Sequence, residues 1–515
     1  MTRTRNDRIA TLAIFAAGLA WLSLQLRIGI SLDDEGLLCD YASRLLRGQT
    51  PYVDFIPPYA LGRYLSLAAL FRAFGENVLV ERWMFASMLA LAAALTHRVS
   101  LRLVLLRAPP RLRGQPPRPY GDGLLVPPAW ALFPPLLVLI APAPLWKADL
   151  TLGLAAGALA ALRYAEAPGR GRALQAGAVI GLLAWDRPDL PAMAAAMLAV
   201  TALFVRARLR DALVCAAVAA AVYAPLVIHL AARPGALAGA IDAHRWMASL
   251  HEHDAGVFVA PWRSPYGIFN GALFYAGPAL ALIGAAVAAR RREVGLAVLS
   301  VAALLAWNQV RVRVNLSHAL QASWPVWVLG TALAVRAGGA LRSRVAALAL
   351  AAPLAAAVWQ ASLAMPIYAG MIAVARGRGE RTGWARGDVW LPPLLRANID
   401  AMLRHLASRG GQVLCAPYAP MLNFLSGLPS PSFLDNLLRG RLSSSAEQRL
   451  IDALERTGTR TIVRLDERYD DDPRTFDRYA PVVWAYVERN FAERPRIGVF
   501  RVWERVSNPA PATPR

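Results

Sequence analysis

The stretch Ile9–Ile30, IATLAIFAAGLAWLSLQLRIGI, runs directly into Ser31-Leu32-Asp33-Asp34-Glu35-Gly36. Its apolar part is long enough to cross a bilayer as one helix, which takes about 20 such residues. Arg3, Arg5 and Arg8 precede it, and three consecutive carboxylates follow it. The run exceeds the roughly 7–15 residues of a signal-peptide core, and no small-x-small cleavage site precedes Asp33. It reads as an uncleaved first membrane helix. Carboxylates placed where such a helix meets water are functional candidates by default, because charge near a bilayer is costly to place. One of Asp33, Asp34 and Glu35, beside a polar pocket, could take a proton from an attacking hydroxyl or amine.

The rest of the composition agrees with a membrane setting. Of 515 residues, 56% are hydrophobic and 17% charged, and the mean hydropathy is +0.37. These proportions exclude an ordinary soluble globular chain and point to a polytopic α-helical membrane protein. The net charge of +22 comes mostly from arginines in short loops between apolar runs, the pattern that orients membrane proteins. No basic face with interleaved aromatics accompanies it, so nucleic acid is not an expected partner. Three cysteines, Cys39, Cys215 and Cys415, are too few for a disulfide framework. A bridge between Cys39 and Cys415 is open topologically, but unpaired thiols are the expectation.

Eleven segments have the length and apolarity of spans: 9–30, 83–106, 124–141, 148–163, 173–186, 189–205, 211–232, 267–289, 294–309, 319–336 and 345–366. Pro188, inside Arg187-Pro188-Asp189, marks either a tight turn between two spans or a kink in one. Arginines at 3–8, 107–118, 163–172, 206–210, 290–292 and 336–344 fall in alternate loops, which are therefore cytoplasmic. The remaining loops carry the acids and aromatics and face outward. In the first of these, 31–82, Leu37–Arg47 and Leu61–Phe74 have apolar residues at helical spacing. They read as amphipathic helices lying on the membrane surface. In the outer loop 233–266, Trp246, Trp262 and Tyr266 read as interface anchors.

Beyond residue 369 the chain turns mixed and polar, so the expected domains are 1–368 in the membrane and 369–515 outside it. Gln412–Ala416, Arg460–Leu465 and Ile497–Trp503 read as strands, and Ala446–Arg456 and Phe476–Phe491 as helices. Strands alternating with helices predict a small α/β domain.

Further polar clusters fall in the outward loops. Lys147, the single lysine of the chain, sits two residues before Asp149. A compact ammonium at a membrane surface suits a lipid phosphate, whereas the plain alternative is a snorkelling lysine beside a helix-start aspartate. Arg311 and Arg313, followed by Asn315 and His318, form the next cluster; guanidinium groups bind phosphate oxygens in pairs. His244 and His251-Glu252-His253-Asp254 read as a solvated loop rather than a metal site. No HExxH, CxxC or P-loop pattern appears, which argues against protease, redox and ATP-driven chemistry. The acidic run Asp466–Asp472 reads as a solvated loop with lid or acceptor duty.

One stretch carries a resemblance. Asp34-Glu35-Gly36, Tyr41-Ala42, Leu45-Leu46, Gly48, Pro51-Tyr52, Asp54-Phe55 and Pro57-Pro58 together resemble the first external loop of GT-C membrane glycosyltransferases. The branch is the one similar to protein mannosyltransferases and aminoarabinose transferases. The likeness extends more weakly over the whole chain, through Arg187-Pro188-Asp189 and the C-terminal domain. It implies an inverting transfer of a monosaccharide from a polyprenyl-phosphate donor to a lipid, glycan or protein acceptor on the extracytoplasmic face of the inner membrane. It implies that Asp34 is the base, with the additional Asp33 leaving the choice between them open, and that Asp149 is a second functional acid. Glu35, Tyr59, Lys147, Arg187, Arg311, Arg313 and His318 become the substrate-binding candidates. Asn315 stands where the family commonly has aspartate, so no acid role carries over to it. The relatives in this resemblance work without metal, and no cofactor is expected. The alternatives are a transporter or flippase of a lipid-linked saccharide, and a relative that binds without catalysing. The former is disfavoured because no paired halves and no mid-span charges are visible.

Overall fold

The computed structural model describes residues 2–105, 135–136, 138–139, 148–254, 267–312, 316–337, 366–437, 442–465, 467–469 and 472–506. The chain divides into two compact units. One comprises Met1–Gln25, Arg82–Ile228 and Asp254–Tyr368, the other Leu26–Glu81, His229–His253 and Ala369–Arg515.

The first unit is built from helices. They are α1 (Thr2–Ser23), most of α4 (Val78–Leu105), α5 (Ala148–Glu166), α6 (Arg170–Asp186), α7 (Leu190–Val205), α8 (Leu209–Ala231), α10 (Gly267–Arg291), α11 (Val294–Val312) and α12 (Leu316–Ala337). Each coincides with an expected span; the expected spans 124–141 and 345–366 fall almost wholly outside the described residues. The first span ends at Ser23 rather than near residue 30. Beyond it the backbone turns to pair with the second unit's strand β2 (Trp390–Leu391): Trp390 N donates to Arg27 O at 2.6 Å, and Gly29 N to Trp390 O at 3.0 Å. Among the described residues, two helices are by themselves long and apolar enough to cross a membrane, α4 over Val78–Leu103 and α8 over Leu209–Ala231. Only 17% of the most apolar part of α8 is buried, and Leu182, Leu203, Leu209 and Leu213 are at least 62% exposed. Apolar side chains left uncovered in this way on regular helices are suited to lipid.

Small residues set how these helices pack. α5 lies against α6 and α7, α7 against α11, and α11 against α10 and α12. Gly153 and Gly157, four apart on α5, face α7; an added Cβ would lie 2.7 Å from Leu190 and from the Met197 methyl. Gly177 and Gly181 repeat the spacing on α6 against α8, with Cys215 O only 2.4 Å from a Cβ at 177. In lipid no hydrophobic force drives helices together, so close backbone approach through small residues supplies the packing.

The second unit is α/β. Its strands β3 (Val413–Ala416), β4 (Thr461–Arg464), β7 (Phe491–Ile497) and β8 (Phe500–Arg505) form one sheet in the order β3-β4-β8-β7, with β3 and β4 parallel and the other pairs antiparallel. Side chains alternate along it. Leu414, Ala416, Ile462 and Trp503 face a core shared with α16 (Ser444–Arg456), α17 (Phe476–Tyr479) and α18 (Pro481–Asn490). Val413, Cys415, Val463 and Val502 face another, shared with α14 (Pro393–Arg409). Helices cover both faces, which accounts for the unbroken apolarity of β3. α13 (Pro366–Ala375) precedes the small β1 (Glu380–Arg381)–β2 ladder, and β5 (Glu467–Tyr469) pairs with β6 (Asp472–Arg474).

Several expectations change here. Phe476–Phe491 is not one helix, because Pro481 starts a new one. Its last residue opens β7, an exposed edge strand whose sequence FAERPRI lacks the alternation that would reveal it. Gly498 and Val499 form the turn between β7 and β8, with Gly498 at φ +58°. The two helices expected in the first loop are present as α2 (Asp34–Leu46) and α3 (Leu61–Phe74). They are not surface-lying: Glu35 through Arg44 are all buried, and α2 packs against α3 and α15 (Met421–Ser426). The segment expected to be a loop around His251 is helical, as α9 (Ala236–Asp254). Its Trp246 packs against the C-terminal core instead of anchoring an interface. All three cysteines are free and buried.

Two glycines on α6 give opposite expectations. Gly177→Ala must displace backbone at Cys215 and should lower stability by about 1–3 kcal/mol. Gly171→Ala meets nothing within 4 Å and should raise it by about 0.5–1 kcal/mol. Thermal unfolding of the two variants in detergent checks both signs.

Candidate active site

In the second unit the three carboxylates at the start of α2 occupy three different environments. Asp33 is the N-cap: its Oδ1 accepts from Asp34 N at 2.8 Å and from the Ser31 hydroxyl. Glu35 is fully buried, and its Oε2 accepts from Ser31 N at 3.0 Å. Asp34 is half-buried. Its Oδ1 accepts from the Tyr418 hydroxyl at 2.5 Å, and its Oδ2 is in no hydrogen bond among the described residues. The helix start favours negative charge at all three positions, and Asp34 differs from its neighbours in being held by a phenol rather than by the cap or a backbone amide.

Backbone contact holds this arrangement. Met421 N donates to Leu32 O at 3.1 Å, and α15 lies so close to α2 that a Cβ at position 36 would sit 2.2 Å from Met421 N. Gly36 is therefore required by close approach. Tyr418, between β3 and α15, is 7% exposed. Burial foremost, then the charges of Asp34 and Asp33, push its phenol well above its ordinary range, so it keeps its proton and donates. Tyr59 also acts on that hydroxyl, and its own ring lies under the Arg63 guanidinium, 4.3 Å from the centroid.

Behind the carboxylates lies a buried ion pair. Arg44 Nη1 donates to Asp435 Oδ2 at 2.7 Å, with both side chains 2% exposed. Its Nε donates to Gln49 Oε1 at 2.7 Å, and its Nη2 to Ser432 O at 2.7 Å and Ser430 O at 3.1 Å. The guanidinium is 5.3 Å from the ring centres of both Tyr41 and Phe55. Asp40, fully buried, accepts from Arg47 at 3.1 Å. Burial pushes its carboxyl up to about 6; the Asp435 charge adds to this, and Arg44 and Arg47 oppose it.

In the first unit a second cluster forms where α6 meets α7. Arg187 is extended, at φ −150° and ψ 141°, as a residue before proline must be. Arg187-Pro188-Asp189 is thus a tight turn, not a kink. The Arg187 guanidinium donates from Nε to Asp189 Oδ1 at 2.9 Å and from Nη2 to Asp189 Oδ2 at 2.6 Å. It also reaches Asp149 Oδ2 at 3.3 Å and Gln309 Oε1 at 3.1 Å. Gln309 Nε2 closes the cluster on Asp189 Oδ2 at 2.9 Å. Asp149 is 2% exposed, so it serves here as the partner that orients Arg187.

The structure thus brings Asp33, Asp34, Glu35 and Tyr59 together in one unit, and Asp149 with Arg187 in the other. Lys147, Arg313 and Asn315 lie outside the described residues. Arg311 and His318 fall on α11 and α12, and their side chains lie outside the description. Two residues of these clusters, Tyr418 and Gln309, escaped the sequence reading, and Asp189 was named there only as part of Arg187-Pro188-Asp189. The available signal for Tyr418 was a tyrosine between Pro417 and Pro420, just past a strand end. Among the described residues no group of three or more His, Cys, Asp and Glu could hold a metal ion.

No family model matches the sequence, and no curated protein does. Solved structures do. The chain is similar to ArnT, an aminoarabinose transferase, from Cupriavidus metallidurans in its crystal structure bound to undecaprenyl phosphate. The TM-score is 0.51 at 14% identity, over 98% of this chain and 99% of that one. It is also similar to the Archaeoglobus fulgidus oligosaccharyltransferase in complex with Zn and sulfate, with a TM-score of 0.53 at 13% identity, over 96% of this chain and 73% of that one. Both neighbours have the GT-C fold, a polytopic membrane fold with a C-terminal domain, and this chain shares it.

Asp40 makes the second unit's stability depend on pH. Its folded pKa, about 6, lies above the unfolded value of 3.8, so its contribution is complete below 3.8 and is lost as pH rises through 6. Asp40→Asn should therefore gain stability relative to the parent between pH 4 and pH 7, by roughly 1–3 kcal/mol. Melting curves of both proteins across that range test the sign.

Proposed function

We propose that the chain is an inverting glycosyltransferase that moves a monosaccharide from a polyprenyl-phosphate donor to a lipid, glycan or protein acceptor on the extracytoplasmic face of the inner membrane. The observation that carries this reading is the Asp34 carboxylate, held at one oxygen and open at the other, in a chain with the GT-C fold. The ligand of the Cupriavidus neighbour, undecaprenyl phosphate, supports a polyprenyl donor. A donor with a long apolar tail also explains why its catalyst would be embedded in the bilayer.

In this mechanism Asp34 Oδ2 takes the proton of the acceptor hydroxyl or amine as that atom attacks the anomeric carbon. The bond from the anomeric carbon to the phosphate oxygen breaks, and its electron pair stays with the phosphate. Polyprenyl phosphate leaves, and the configuration at the sugar carbon inverts. The leaving dianion needs cations, and Lys147, Arg311 and Arg313 are the proposed phosphate ligands. Glu35, Tyr59, Arg187 and His318 are proposed substrate contacts, with Asp149 orienting Arg187 through their ion pair. Asp33 is the reserve base. Its commitments to the α2 cap and Ser31 place it second.

Purified protein incubated with radiolabelled polyprenyl-phosphate sugars and membrane extract, with and without chelator, tests the reading. Label should pass to an extractable acceptor; no transfer from any donor would overturn it. Asp34→Asn should lower turnover by about 10²–10⁴-fold. Asp33→Asn should lower turnover by far less, while weakening the α2 cap by about 1 kcal/mol. Cysteines introduced beside Asp33 should label from outside the cell, and labelling only from the cytoplasm would sink the topology.

A further inference from the structure

We infer that Tyr418 of the C-terminal domain is a positioning residue for the proton-accepting carboxylate, fixing Oδ1 of Asp34 so that Oδ2 alone is presented to the acceptor. The inference rests on the assignment of Asp34 as the base. It gives the C-terminal domain a part in the chemistry, beyond the lid or acceptor duty expected for it.

Three observations support it. First, the hydrogen bond is short, at 2.5 Å, and joins residues 384 positions apart. Second, the phenol cannot easily leave. Pro417 and Pro420 flank it, Leu437 N donates to Pro417 O at 2.8 Å, and Met421 N to Leu32 O at 3.1 Å. The loop is thus pinned on both sides of Tyr418, and its backbone has little freedom at the prolines. Third, the neighbouring groups have other commitments: Asp33 caps α2, Glu35 accepts from Ser31 N, and Tyr59 lies under Arg63. Of the acids at this helix start, Tyr418 is seen to hold Asp34.

The physical consequence follows from carboxylate geometry. An aspartate with both oxygens loose samples several rotamers, and only some of them point a lone pair at the acceptor. One donor fixed on Oδ1 removes that freedom before substrate arrives, and such pre-orientation is a large part of catalytic efficiency. The raised pKa of Tyr418 itself, caused by burial and by Asp34 and Asp33, keeps the phenol a donor across the working range.

A role confined to docking the C-terminal domain would change stability alone, so the test separates kcat from KM and from the melting temperature. In the full-length reconstituted enzyme, Tyr418→Phe should lower kcat about tenfold and leave the donor KM within about twofold. Asp34→Asn is run beside it. If Asp34→Asn keeps its activity, the base assignment fails, and this inference fails with it. If Asp34→Asn is inactive while Tyr418→Phe has the parental kcat, only the inference on Tyr418 is overturned. Should Tyr418→Phe not fold, 4-methylphenylalanine at 418 fills the place of the phenol and donates nothing. Its kcat should fall about tenfold at unchanged KM, and a parental kcat would overturn the proposal.

Discussion

Arg44 places a full positive charge in the second unit at a site with no access to water, and much of that unit is arranged around it. A guanidinium out of water is tolerable only when a counter-charge and acceptors surround it. Gln49, five residues on, supplies one acceptor locally. The others come from Ser430, Ser432 and Asp435, nearly four hundred residues away. The first loop therefore cannot form its interior without the C-terminal segment, and the segment 430–435 has a buried carboxylate that needs the loop. Removing either partner would leave an uncompensated charge, a defect far larger than the loss of a surface pair.

That mutual requirement propagates to the carboxylates. With α2 held by Arg44 near its C-terminal end, α15 can lie against its first turn, where Gly36 leaves the space. The approach of Met421 to Leu32 brings the preceding loop, and with it Tyr418, onto Asp34. Asp40 and Arg47, one turn from the ion pair, complete the charge balance. The position of the Asp34 carboxylate thus depends on a buried pair three helical turns away.

What the sequence made legible follows from what sequence patterns encode. Apolar length located the helices of the first unit, and short apolar runs located β3, β4 and, displaced to Phe500–Arg505, β8. Arg187-Pro188-Asp189 was legible as a point of interest, and Pro188 dictated the extended Arg187. Pattern encodes period and composition, but not pairing. The partner of Asp34 at 418, the partner of Arg44 at 435 and the contribution of Gln309 to Asp189 all come from distant segments whose local periodicity is unremarkable. β7 failed for another reason: an edge strand with one side open can carry Glu493, Arg494, Pro495 and Arg496, and such a run does not alternate. The surface-lying reading of α2 failed because its polar residues, Asp40, Ser43 and Arg44, looked like a solvent face. They are instead the lining of a buried polar network.

Asp33-Asp34-Glu35 shows how far adjacency in sequence can mislead about shared purpose. Successive helical residues point about 100° apart, and at a helix start the cap residue is not yet helical at all. Asp33, in that position, has a backbone that lets its own carboxylate reach the next amide. Glu35, two residues on, is turned into the interior, where its longer side chain reaches back to Ser31 N. Asp34 is half-buried, with a phenol on one oxygen. The three acids thus divide into a cap, an internal brace and the proposed base. The division is set by rotation about a single helix axis and by Gly36, which lets the neighbouring chain supply the phenol. A triplet of charges just past the first helix is then better read as one proposed functional acid with two supports than as a shared acidic patch.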